Sequence, residues 1–276
     1  MLRWLLLLLL LLHGCGDTPS PAPDPDSPRI ISLSPAITRA LEDAGLAPHL
    51  VGRSTWCRLR DDRDVPAVGD LHDRDWEGII RLQPTHVFFQ SEDVETDASL
   101  VDLAEANGWT LRAWPLRTTG EVRDLFMTLP SAFVGLDTDT VLDAQCRELA
   151  NRIDDALVGN RMALERRVLL VSDGVPPLAW GEQTYLGELL LGIGGVNALG
   201  DAAWKTVSLE DVVRLAPDVI IVISETDDPS PPAIAELDIA AVTEGRVHRL
   251  VHEDINLPGA HLADLVPMLR RQVTGP

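Results

Sequence analysis

Among the 23 basic residues of this 276-residue chain there is a single lysine, Lys205. Acidic residues number 43, so the formal charge is −20. Proteins that grip a phosphate backbone carry basic faces, and an anionic membrane surface attracts basic segments, so nucleic acid and lipid headgroups are excluded as main partners. Three cysteines are too few for a disulfide framework. The uninterrupted apolar run Leu5 to Leu12 is too short to span a bilayer. Catalytic fingerprints are missing too: no G-x-S-x-G elbow, no phosphate-binding G-x-x-x-x-G-K-[ST] loop and no H-E-x-x-H pair. Gly192-Ile193-Gly194-Gly195 lacks the third glycine of a dinucleotide loop, follows a helical pattern and reads as a helix stop. His252-Glu253-Asp254 alternates faces and has no nucleophile beside it. Gly69 to Asp75 offers oxygen and imidazole ligands, but a solvated acidic turn before a helix explains it as simply. No zinc cage and no catalytic residue is expected.

What is present begins with an address. Arg3 and the Leu5–Leu12 run form the n- and h-regions of a secretory signal over residues 1–14. The run ends at Leu12-His13-Gly14-Cys15, similar to a bacterial lipobox, in which Cys15 would carry the lipid. A plain signal cut elsewhere is the other reading. Residues 15–28, rich in Pro, Ser and Asp, then form a flexible tether. Of the remaining cysteines, Cys146 lies on a helical apolar stripe, and no bridge to Cys57 is expected.

From Arg29 onward, β-branched runs alternate with helical patterns, which predicts α/β architecture with mostly parallel sheets. Strands are predicted at residues 29–33, 50–52, 86–89, 110–114, 168–172, 219–223 and 247–251. Helices are predicted near residues 36–44 and 98–107 and from His261 to Val273. Between the halves, Leu142, Cys146, Leu149, Ile153 and Leu157 recur at helical spacing. A connecting helix of about 25 residues and roughly 38 Å is expected within residues 137–166, between lobes at 29–136 and 167–276. An internal repeat supports two lobes. The segment Trp76 to Val87 matches Leu209 to Ile220, with Glu, Arg, Leu and Pro coinciding, and Arg29 to Ser34 echoes Arg167 to Ser172.

Open α/β sheets bind ligands beyond their strand carboxyl ends, so a cleft between Rossmann-like lobes is the expected site. Those ends carry Ser34, Trp56, Arg58, Gln90 and Trp114 from the first lobe. The second supplies Trp180, Trp204, Lys205, Ser224 and Asp254. Trp56 and Trp204, with polar neighbours in predicted loops, suit a large, flat, partly apolar ligand. For Trp114 and Trp180, core and cleft are both open.

These residues resemble the class III periplasmic binding proteins, solute receptors for vitamin B12, haem and ferric siderophores. The pieces that carry the resemblance are Ile30 to Pro35, Leu50 to Cys57, Val68-Gly69, Glu77 to Pro84, Thr184 to Leu190, Gly194 to Asn197 and Val207 to Glu210. It implies two stiff lobes joined by one long helix, and a lipoprotein that delivers solute to the permease of an ABC importer. It implies cobalamin or an iron chelate as ligand rather than a resident cofactor, contact through Trp56, Trp204 and Asp254, and a monomeric receptor. It also implies that Glu77 and Glu210 dock onto basic residues of the permease. Both acids lie in first helical turns after Asp75 and Ser208, so helix capping is a second reading of them.

Overall fold

A computed structural model describes residues 27–70, 72–133, 139–158, 164–228 and 232–275. The signal segment, Cys15, most of the tether and the ends of the connector (137–138 and 159–163) lie outside the described residues.

The first lobe runs β1 (Ile30–Ser32), α1 (Pro35–Asp43), β2 (Leu50–Arg53), α2 (Trp76–Arg81), β3 (His86–Gln90), α3 (Ala98–Asn107), β4 (Thr110–Trp114) and α4 (Thr119–Thr128). Its four strands are parallel, in the order β2-β1-β3-β4. Ile30, Ile31, Val87, Phe88 and Phe89 are all buried, as strands covered on both faces require. Helix α1 begins where its sequence provides a start. Ser34 is extended and its hydroxyl accepts from the Ile37 N–H, while Pro35 fits the first helical position.

The connector α5 (Asp139–Val158) has 20 residues and is about 30 Å long. Leu164 N–H donates to the Gly194 carbonyl at 3.3 Å, and Glu165 takes a left-handed φ of 48°, which turns the chain into the next strand. The stripe Leu142, Cys146, Leu149, Ala150 and Ile153 is buried. Helix α5 packs on α4 and on two helices of the second lobe.

That lobe runs β5 (Arg167–Ser172), β6 (Leu178–Trp180), α6 (Tyr185–Gly192), β7 (Val196–Asn197), β8 (Trp204–Thr206), α7 (Leu209–Leu215), β9 (Val219–Ser224), α8 (Ala240–Thr243), β10 (Val247–Val251) and α9 (Leu262–Thr274). The sheet order is β10-β9-β5-β6-β8, with β7 parallel beside β5. Strands β6 and β8 are antiparallel additions that the sequence pattern did not suggest.

The repeat is reproduced bond for bond. The Arg29 guanidinium donates to the Leu82 carbonyl at 2.7 Å, and that of Arg167 to the Leu215 carbonyl at 3.1 Å. Thr85 N–H donates to the Arg29 carbonyl, and Asp218 N–H to that of Arg167. Gln83 and Ala216, each preceding the repeat proline, share a positive φ of 45° and 44°. One apolar core crosses the whole molecule, joining Ile30 and Phe88 through Cys146 and Ile153 to Val168 and Leu265. Cys57 and Cys146 are buried, unbridged thiols, and burial pushes Cys146 up to about 12.

Candidate functional site

Two cavities open at the carboxyl ends of the strands. One, of about 420 Å³, belongs to the first lobe and is lined by Ser34, Ser54, Trp56, Asp70, His72 and Gln90. The other, of about 600 Å³, lies between the lobes. Arg39, Trp56, Arg58 and Arg60 form its first-lobe wall; Glu225, Glu253, Asp254 and Leu257 face them. Trp56 borders both and is 70% exposed.

Loop geometry sets the Trp56 indole. Its backbone N–H donates to Ser54 Oγ at 3.1 Å, and its indole Nε1–H donates to Asp70 Oδ2 at 3.0 Å. Asp70 Oδ1 accepts from the N–H groups of Asp73 (2.9 Å) and His72 (2.7 Å). These backbone donors, with the indole, pull the Asp70 carboxyl down to about 2. Ahead of it, Gly69 has φ +89°, and a Cβ there would fall 2.1 Å from the Asp73 carbonyl, so the turn requires glycine. Ser34 Oγ donates to Gln90 Oε1 at 3.1 Å, and the Gln90 amide donates to the Pro115 carbonyl.

Asp254 is buried and held from across the cleft. Arg39 of α1 reaches it at 2.9 Å and Arg60 at 3.6 Å, while Arg39 also pairs with Glu42. On the second-lobe wall Asn256 donates to Glu225 at 2.9 Å. Among the described residues no group of three or more His, Cys, Asp or Glu side chains is arranged to hold a metal.

Ser34, Trp56, Arg58, Gln90 and Asp254 are thus brought to the cleft, and three expected residues are not. Strand β6 runs back from the cleft, so Trp180 pairs with Leu170, two residues in from the end of β5, and Trp204 of β8 lies opposite Trp180. Trp180 is buried in the core; Trp204 is half-exposed in a strand rather than a loop, outside both cavities. Lys205 alternates to the other face and lines a small hollow with Asp211 and Arg214. Trp114 is likewise core, its indole bonded to Thr128 Oγ1. Leu71, beside the first cavity in sequence, is outside the described residues. Sequence reading missed Arg39, Arg60 and Glu225, and it set aside Asp70 and His72 as a solvated turn and Glu253 as part of a face-alternating cluster. For Asp70 a signal existed, since an Asp just after a Gly commonly accepts from its own backbone two residues on and closes a turn.

Glu77 and Glu210 are exposed in the first turns of α2 and α7, capped by Asp75 and Ser208. Three residues on, Ile80 and Val213 are also exposed, at 43% and 47%.

Comparison with known proteins agrees with this architecture. No curated protein matches the sequence. Among solved structures, the vitamin B12-binding protein BtuF of Vibrio cholerae is similar, with a TM-score of 0.71, 21% identity and coverage of 89% of this chain and 96% of that one. The haem-binding protein HutB of Vibrio cholerae gives 0.71 at 15% identity, covering 90% and 99%. An Fe3+-hydroxamate transport system protein from Saccharomonospora viridis gives 0.64 at 20%, covering 90% and 94%. Residues 30–250 match the family described as periplasmic binding protein. With that match and the paired lobes around a cleft, the chain belongs to the periplasmic binding proteins, which are solute-binding components of transporters and not enzymes.

Proposed function

We propose that this chain is a lipid-anchored receptor that binds vitamin B12 or a related corrinoid between its lobes and hands it to the permease of an ABC importer. The observation that carries this reading is the Trp56 indole, 70% exposed where the two cavities meet. A large apolar face left open in a cleft suits a flat, partly apolar ligand that covers it. Ser34, Gln90 and Arg58 supply polar contacts around it. The Asp254–Arg39 pair keeps the second-lobe wall in place. Likeness to a B12-binding protein supports the ligand class, and Leu12-His13-Gly14-Cys15 supports the anchor. The second reading, a ferric-siderophore or haem receptor, is favoured by Arg58 on the cleft wall, which suits an anionic chelate, whereas Arg39 and Arg60 are already paired with Asp254. Glu225 and Glu253 on the facing wall disfavour one.

Tryptophan-fluorescence titration with cyanocobalamin, haemin and a ferric hydroxamate tests the choice. Saturable quenching by cyanocobalamin is expected. Saturation by haemin or the hydroxamate alone would replace the corrinoid reading with the second one, and silence with all three would refute both.

Glu77 and Glu210 are proposed as the permease-docking pair. Their equal places in the repeat, their exposure and the apolar residue beside each support an interface on this face.

A further inference from the structure

We propose that Asp70 is a positioning residue that holds the Trp56 indole as a fixed stacking face before any ligand arrives. The inference rests on Trp56 being a ligand contact, and it adds the residue that orients it.

A side chain 70% exposed has little packing to choose its rotamer. The directional tether on the ring is the bond from Nε1–H to Asp70 Oδ2 at 3.0 Å. Asp70 can serve as an anchor because its other oxygen is occupied. Oδ1 accepts the N–H groups of His72 and Asp73, and its own N–H donates to the Asp73 carbonyl at 2.8 Å. The two loops are stitched together beneath it: Thr55 N–H donates to the Gly69 carbonyl and Val68 N–H to that of Arg53, at 2.8 and 2.9 Å. The carboxylate therefore divides its work, one oxygen closing the loop and the other aiming the ring. The aimed ring stands between a polar chamber (Ser34, Ser54 and Gln90, with Asp70 and His72) and one lined by opposed charges (Arg58, Glu225, Glu253). That geometry fits a flat ring system lying on Trp56 with hydrogen-bonding edge groups reaching into both chambers. A face fixed in advance spares the complex the entropy of ordering a free indole.

Asp70→Asn separates the two oxygens. Asparagine keeps an acceptor for the loop N–H groups but turns an NH₂ donor toward the indole. In the ligand-free protein, the heteronuclear NOE of the Trp56 indole N–H is expected to be as high as that of the buried Trp114 indole. It should drop in Asp70→Asn while the His72 and Asp73 amides keep their shifts; Asp70→Ala should disturb both. Affinity for cyanocobalamin, haemin or the ferric hydroxamate, whichever binds, should fall about 3- to 10-fold in Asp70→Asn. In a Trp56→Phe background, where there is no indole N–H to hold, the same substitution should add nothing. An unchanged Trp56 NOE in Asp70→Asn would overturn the proposal, as would a loss of affinity that persists in the Trp56→Phe background. Loosening of the indole together with full affinity in Trp56→Ala would instead refute Trp56 as a ligand contact. If none of the three probes binds, the NOE alone decides the role of Asp70.

Discussion

His261 lies buried behind the cleft wall, its ring stacked on His252 with centroids 4.9 Å apart and planes 13° from parallel. Burial, with the neighbouring His252 second, lowers it to about 4. An unfolded chain takes up this proton near pH 6.5, whereas the folded one resists until about pH 4. Between those values the unfolded state binds more protons, so stability falls as pH drops from 6.5 toward 4. Denaturant titrations at pH 7.5, 6 and 5 should show the decline, and His261→Gln should flatten it. Part of the slope will remain, because burial also lowers His86. An identical slope in the variant would sink the assignment. Legibility at this scale was uneven. Trp56 and Gln90 could be found because they lie just after β2 and at the end of β3, strands whose ends are plain in sequence. Trp204 and Lys205 were misplaced, and Trp180 left open, because their places depend on the direction of β6 and the alternation of β8, and runs of three residues are too short to announce either.

Between elements, the telling contact is the one from α1 to the loop after β10. Arg39 and Asp254 are both buried, at 7% and 3% exposure, and the pair joins the lobes at 2.9 Å. On the other flank, the Thr119 N–H and hydroxyl at the start of α4 donate to the Glu188 carboxylate of α6, the former at 2.6 Å. A carboxylate at a helix N-terminus takes up unpaired donors and suits the helix dipole. Removing one member of a buried pair leaves the other charge uncompensated, so Asp254→Ala should cost about 3 kcal/mol. Because Arg39 keeps Glu42, the loss belongs at the lower end of the range for such pairs. The triple variant Arg39→Met/Glu42→Gln/Asp254→Leu, which leaves neither partner of Arg39 charged, should recover most of it. Urea midpoints measure both, and an Asp254→Ala midpoint equal to the parent's would mean the bridge contributes nothing. Sequence could name Asp254 as a strand-end residue, but it could not show that the carboxylate is already engaged.

For the whole molecule, the repeat, the common core and the exposed acids together describe a body with two like faces. The Arg29 and Arg167 bolts fix α2 and α7 in the same pose, so Glu77 and Glu210 present alike. Reversing both to Lys should weaken binding to the permease complex by roughly 10-fold or more at low salt, with a smaller difference at high salt. Affinity for the small-molecule ligand should stay within about 3-fold. Normal delivery by this double variant would leave helix capping as the whole role of the two acids.

The amino-acid order by itself determined what short-range chemistry can specify. Ser34 and Pro35 start α1, buried apolar runs of Ile, Val, Leu and Phe make β1, β3, β5 and β9, and the match of 76–87 with 209–220 announces two like lobes. Only the tertiary structure decided that the segment leading into β5 is tied to the second lobe through Leu164 and Gly194, and which tryptophans face the cleft. It alone decided that Asp254 binds Arg39, 215 positions earlier. Local propensity acts over a few residues, whereas these choices depend on groups that meet only after both lobes have packed on α5.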